Sequence, residues 1–366
     1  VPLLRLTQAA EQANLSEGSF VVQAAQMCMA LFANDPGAGD LQASDFEVRF
    51  QTGQHTGQVR LSERAQTVLH RYLCDQLLWQ IAPDQREITV FAVDMVLKTT
   101  VAGRLIDRVL PYRKQVILQN MRRAYGERVS EARLHELARS HYSHLATLFG
   151  ELVSFRFKRL SERAARVRVE GVPQLTQAFH AGRGILVLTG HFGNFEVATV
   201  AGIEHFPEVK GRIHFLRRPI KPKWLSDMLT RRFNAAGFGV IGRRGSLETI
   251  VDRLEAGDAI VFPFDQYAHK PDGILIPFFG YPAGTYKSMA VLAMATGAPV
   301  MPGASWREPD GTHVLRFWPP LEPIVDENVG QEIERNTARY NLELERLVLR
   351  HPEQWWWVHR RWKNLR

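Results

Sequence analysis

Apolar and polar positions along this chain change period several times, and each change marks an element. In the first part, Phe20, Ala24, Met27 and Leu31 share one helical face, and Asp35-Pro-Gly-Ala-Gly39 breaks the pattern as a loop. Phe46–Phe50 and Gln58–Leu61 alternate apolar and polar on either side of a Gly/Thr-rich stretch, which predicts a hairpin. Residues 62–81 return to helical spacing, with Val68, Leu69, Tyr72, Leu73 and Leu77 apolar and Pro83 beyond the end. Helical patterns over 101–111, 113–125 and 130–155 follow. From residue 167 onward, short apolar runs alternate with helical stretches. The runs are 167–171, 185–188, 213–217, the stretch starting at Gly239, 257–264, 298–302 and 314–317. A last helix is expected over 332–349. This alternation predicts an α/β fold, a mixed and mostly parallel sheet flanked by helices, over residues 89–366, with a small α+β extension over 1–88. Pro263 inside an otherwise central-looking run suggests that its strand lies near an edge or a bulge.

Composition narrows the picture. A hydrophobic fraction of 45% supports a sizeable core. The uncharged run Gly18 to Asn34 is 17 residues and contains Gln23 and Gln26, so a buried helix is expected rather than a membrane span. No basic region precedes an apolar core at the amino end, so no leader is expected there. Cys28 and Cys74 have neither metal-ligand nor redox spacing and read as reduced core residues. Charge is divided unevenly. Residues 1–90 carry a net −4 and the remainder +12, for a total of +8. A basic second part attracts anionic partners. Nucleic acid is disfavoured among them, because the arginines are spread over many elements without a recognition module.

The chemistry concentrates at Gly184-Ile-Leu-Val-Leu-Thr-Gly-His-Phe-Gly-Asn-Phe-Glu196. A buried strand ends at Thr189-Gly190, a turn through Gly193-Asn194 follows, and a helix starts near Phe195. Such strand-to-helix corners are where α/β sheets place their sites. His191 and Glu196 lie five positions apart across the turn, and a carboxylate that close can fix the tautomer of an imidazole and stabilise its cation. No Gly-x-Ser-x-Gly nucleophile is present, so direct transfer to a substrate hydroxyl is the expected chemistry, with His191 taking the proton. The bland alternative is a structural His beside a surface Glu. His135, His141 and His144, at spacings of six and three, do not make a His-x3-His ligand pair, and no metal is expected.

The segment His191-Phe-Gly-Asn-Phe-Glu196 resembles the His-x4-Asp/Glu hallmark of the glycerolipid acyltransferase superfamily, in the form found in the bacterial lipid A late acyltransferases. Four further blocks carry the same resemblance, in order, between about residues 90 and 366. They are the Arg-Pro strand end at Ile213–Pro219, Asp265-Gln266, Ile276–Gly280 with Pro282–Ser288, and the tail His351–Lys363, which contains Pro-Glu-Gln and His-Arg-Arg.

The resemblance implies a glycerol-3-phosphate acyltransferase-like fold. It implies transfer of a fatty acyl group from an acyl carrier protein or CoA thioester to a hydroxyl or amine of a lipid or glycolipid. No acyl-enzyme, metal or redox cofactor is implied, because the thioester is a co-substrate. His191 would be the base and Glu196 its orienting carboxylate. Asn194 or amides of the turn would stabilise the oxyanion. Arg218 and Arg243 would hold phosphate, with Arg217 as a neighbour. Asp265 would support the site by hydrogen bonding and Gln266 would align substrate. Gly284 and Thr285 belong to the block whose apolar segments would wall an acyl groove, although Phe278-Phe279 suits a core equally well.

Peripheral attachment to the cytoplasmic face of a bacterial inner membrane, with a partly cytosolic pool, completes the expectation. Trp355, Trp356, Trp357 and Trp362 beside Arg and Lys suit a membrane interface, with at least two of them in the core. Residues 1–88 depart from the family, whose members begin with a hydrophobic anchor. This extension is acidic, and it lacks the Asp-Ser-Leu attachment site of a carrier protein. That departure keeps two rivals open: the same chemistry on an aminolipid, glycolipid or specialised metabolite, and a non-catalytic acyl or lipid carrier.

Overall fold

A computed structural model describes residues 46–50, 57–61, 98–126, 129–154, 157, 159–217, 223–242 and 246–363. The helices expected within residues 1–35 and 62–81 lie outside the described residues. The chain divides into two units, Val1–Leu97 and Lys98–Arg366. In the first, β1 (Phe46–Phe50) and β2 (Gly57–Leu61) form the expected antiparallel hairpin, with Val48 opposite Val59.

The second unit opens with α1 (Val101–Val109), α2 (Lys114–Tyr125) and α3 (Glu131–Ser154). The alternating part follows: β3 (Val167–Glu170), α4 (Val172–His180), β4 (Ile185–Thr189), α5 (Phe195–Gly202), β5 (Ile213–Arg217), α6 (Lys223–Ala235), β6 (Phe238–Gly242), α7 (Leu247–Glu255) and β7 (Ala259–Pro263). A separate hairpin, β8 (Gly273–Phe278) and β9 (Tyr281–Tyr286), precedes α8 (Ser288–Thr296), β10 (Val300–Arg307), β11 (His313–Phe317) and α9 (Val329–Arg350). The described residues form a seven-stranded sheet in the order β3-β11-β10-β4-β7-β5-β6, parallel except where β10 meets β11. The mixed, mostly parallel sheet is the fold class expected from the alternation of runs.

The strand carrying Pro263 is central, between β4 and β5, which corrects the edge expectation. Pro263 is tolerated because it is the last residue of β7. Phe264 donates to Thr189 O on the β4 side, whereas pairing with β5 has already stopped at Val261. The missing N–H therefore costs no ladder bond.

The tail places three of its tryptophans in the core, where at least two were expected. Trp355, Trp357 and Trp362 are at most 2% exposed, and Trp356 is half-buried. Trp355 packs on Phe278 and Trp357, and Trp362 donates to Phe278 O. These rings are core, not a membrane belt, because the tail folds back along the C-terminal ends of the strands. Phe192 and Trp355 form an antiparallel bridge, and Trp356 N donates to His191 O.

Candidate active site

β4 and β7 are adjacent and in register, Thr189 opposite Pro263, and each runs two residues further to a chemical group. On β4 that group is His191, and on β7 it is Asp265. His191 Nδ1 lies 2.9 Å from Asp265 Oδ1, and the His191 backbone N–H donates to Asp265 Oδ2 at 2.8 Å. Trp355 Nε1 donates to the same Oδ2, and His359 Nε2 donates to the Asp265 carbonyl. The carboxylate is fully buried and satisfied by the two His191 donors and Trp355. Gly190 makes the close approach possible, since a Cβ there would sit 3.1 Å from Asp265 Oδ2 and 2.8 Å from the Phe192 ring.

Burial by itself would lower the pKa of His191, but the charge and hydrogen bond of Asp265 more than offset it and leave the imidazole above its usual value. Burial would likewise raise Asp265. The facing His191 wins, with help from His359, and holds the carboxyl well below the usual carboxylate range. An ionised Asp265 accepts the Nδ1 proton, which leaves Nε2 as the nitrogen available for chemistry.

Glu196 does not meet His191 in the manner expected from the sequence. The helix begins at Phe195, whose ring stands edge-on to His191 at 5.6 Å. Glu196 is one position on, about 100° further round the helix, and its Oε1 lies 3.4 Å from Arg217 Nη2 at the end of β5. Burial pushes the Glu196 carboxyl up, and Arg217 and Arg232 offset this only in part. Arg217, the lesser of the two arginines by resemblance, is thus the one paired with the motif. Arg218 and Arg243 lie outside the described residues.

Asn194 turns inward. It is 2% exposed, caps α5 by accepting from Val197 N, and donates to Glu151. The amides of His191, Phe192 and Gly193 donate to Asp265, Gly190 O and Gln354 O. The Asn194 side chain and these three amides are therefore already engaged. Gln266 follows Asp265, half-buried, in the loop after β7. Gly284 and Thr285 are interior. Arg361 donates to Gly284 O and to Thr285 Oγ1, and Asn341 also donates to that hydroxyl. Phe278 is fully buried among the tail tryptophans. Gly284, Thr285 and Phe278 are thus packed inside, and none of them lines the apolar cavity beside His191.

The apolar cavity lies elsewhere, on the sheet face covered by α5. It measures about 870 Å³ with its open mouth included. His191, Gly190 and Thr189 stand at one end, with Pro263, Ala304 and Ser305 also lining it. Val187, Val261 and Phe215 line it further along the strands. Ala259, Ile213 and Phe238, which are paired across β7, β5 and β6, line the far end. Period-two alternation explains the set, because these strand residues project from one face. No sequence signal separated them from ordinary core positions.

Residues 88–364 match the family model for bacterial lipid A biosynthesis acyltransferases. The chain is 28% identical over 209 residues to the lipid A biosynthesis palmitoleoyltransferase of Escherichia coli (strain K12), covering 54% of this chain and 61% of that protein. It therefore spans about three fifths of that relative's length. It is 23% identical over 267 residues to the lipid A biosynthesis lauroyltransferase of the same strain, covering 72% and 83%. It is 27% identical over 155 residues to the phosphatidylinositol mannoside acyltransferase of Mycolicibacterium smegmatis (strain ATCC 700084 / mc(2)155), covering 41% and 49%.

Proposed function

The chain belongs to the bacterial lipid A biosynthesis acyltransferase family, and from that premise we propose that it transfers a fatty acyl group from a thioester to a hydroxyl or amine of a lipid or glycolipid acceptor. The observation that carries the reading is His191 at the mouth of an apolar cavity, with Nδ1 held by a buried carboxylate. The acyl chain lies in the cavity and presents its thioester carbonyl at His191. Nε2 takes the proton of the acceptor O–H or N–H as that atom attacks the carbonyl carbon. The tetrahedral intermediate collapses, the C–S bond breaks, and the imidazolium returns the proton to the leaving thiolate. Asp265 stabilises the imidazolium and fixes its tautomer. The Glu196–Arg217 pair lies at the start of α5 and the end of β5, next to the cavity-lining Phe195 and two residues beyond the cavity-lining Phe215, and its guanidinium is suited to meet an anionic acceptor or donor group.

Acyl carrier protein is the favoured donor, since residues 91–366 carry a net +12 and carrier proteins are acidic partners; acyl-CoA is the other thioester. Among the described residues no helix is long and apolar enough to cross a membrane. On α1, Val101, Leu105 and Val109 fall along one face and are 60–73% exposed, with Arg104 and Arg108 one position before Leu105 and Val109. That face is suited to lie on an anionic membrane surface, here assigned to the cytoplasmic side of the inner membrane. The similarity to a phosphatidylinositol mannoside acyltransferase supports a second reading of the acceptor, a glycolipid other than lipid A.

The test is acyl transfer from carrier-protein and CoA thioesters to bacterial lipid extract, followed by mass spectrometry. Product formed by the wild type and lost in His191→Ala supports the reading. Undiminished transfer by His191→Ala overturns it.

A further inference from the structure

Behind the catalytic turn, on the side away from Asp265, a second polar network is buried. Glu151 enters it from α3. One of its oxygens, Oε2, accepts from Asn194 Nδ2 at 3.0 Å and from Arg307 Nη1 at 3.0 Å. The other, Oε1, lies 3.5 Å from His313 Nε2 at the start of β11. Arg307 Nη2 approaches His144 Nδ1 at 3.4 Å. The Gln354 side chain bridges the Arg307 backbone, accepting from its N–H and donating to its carbonyl, and the Gln354 carbonyl accepts from Gly193 N at 3.0 Å. Gly193 and Asn194, the two residues between the His191-Phe192 step and α5, are thus both tethered to one network. Its members come from α3, β10, β11 and the tail. Gly193 also has φ +54°, and a Cβ there would meet Ser305 O at 2.7 Å, so the turn has little room to relax.

We propose that Glu151 is a positioning residue for the catalytic turn: by holding Asn194 it fixes where α5 begins, and so sets His191 against Asp265. This rests on the reading of His191 as the base. Two physical facts favour a positioning role over simple packing. A carboxylate that accepts from an amide and a guanidinium at once fixes direction as well as distance. The Asn194 amide it holds belongs to the residue whose other side-chain atom caps the helix. A shift in one bond is therefore passed to the other. A displacement of about 1 Å at a catalytic group far from the substituted residue is enough to cost on the order of 100-fold in rate.

Two variants separate this from a loss of fold. Glu151→Gln keeps size and removes charge. Asn194→Ser keeps a helix-capping hydroxyl and removes the amide that Glu151 holds. Each is expected to lower kcat at least tenfold while leaving KM for the acyl thioester within about twofold. The double variant should be no worse than the poorer single one, because both cut the same tether. Losses that multiply in the double variant, or a kcat that survives in Asn194→Ser, overturn the proposal. In parallel, the NMR shift of the His191 Nδ1 proton is read in wild type and both variants. It is expected to move in both, and an unmoved resonance also overturns the proposal. If the wild type transfers no acyl group from any thioester, the functional reading fails, while the NMR arm still decides whether Glu151 positions His191.

Discussion

His191 and Asp265 are 74 positions apart and share a hydrogen bond of 2.9 Å because two parallel strands end in register. The pairing raises His191 and lowers Asp265, so His191 is protonated at mildly acid pH and must lose that proton to act as base. Activity should therefore fall as pH drops through the raised His191 value. Asp265→Asn removes the partner of the imidazolium, so the acidic limb of kcat/KM should move to lower pH. At the optimum kcat should fall by about 10²–10⁴-fold. A pH–rate profile of the variant checks both, and an unmoved limb would count against Asp265 as the orienting group.

Glu196 faces Arg217, which separates its expected behaviour from that of Asp265. Glu196→Gln should reduce activity without moving the acidic limb. Its neutral amide no longer restrains the Arg217 guanidinium, so the change should be read mainly in KM for an anionic acceptor. Comparing the two profiles in one buffer series is the measurement.

The far end of the cavity should set acyl-chain length. From Pro263 back to Ala259 the cavity follows β7 for about 13 Å, at roughly 3.3 Å per residue. Ala259→Val should shift product from a mixed thioester pool toward shorter chains, and Ile213→Ala toward longer ones. Product masses from the two variants must move in opposite directions if this end acts as a stop.

Glu345 on α9 is fully enclosed, accepts from Phe279 N at 2.6 Å, and is pushed by burial up to about 8. Its folded-state value lies above the unfolded one, so its contribution to stability is complete below the unfolded pKa and is lost as pH rises through about 8. Glu345→Gln keeps an acceptor for Phe279 N and removes that loss. The variant should gain on the order of a few kcal/mol relative to wild type at pH 9 compared with pH 5, from a shift of a few pKa units. Thermal melts across that range would show it as a flatter dependence of Tm on pH.

If α1 lies on lipid, Leu105→Glu should weaken sedimentation with anionic vesicles several-fold while Tm stays within a few degrees, since Leu105 is 60% exposed. Equal sedimentation of the two proteins would remove α1 from the membrane contact.

Much of the molecule is legible in the sequence. The strand-helix alternation specified a mostly parallel sheet, because each apolar run is strand-sized and each intervening stretch has helical period. The short segment around His191 announced a site, because a strand end, two glycines and an imidazole coincide there. The resemblance to lipid A acyltransferases rested on blocks of local sequence, which a single chain displays directly. Tertiary structure decided the rest. Glu196 was the nearest carboxylate in sequence, but the α5 turn carries it toward Arg217, whereas Asp265 arrives through β4–β7 pairing, which no local pattern encodes. At least two tail tryptophans were expected in the core, but which of them are buried, and that Gly284 and Thr285 are interior, depends on what the chain folds against. The cavity is assembled from residues of several strands, of α4 and α5, and of the turns that follow α5. Each of them looks like any core residue in sequence, and only their packing leaves the space among them unfilled.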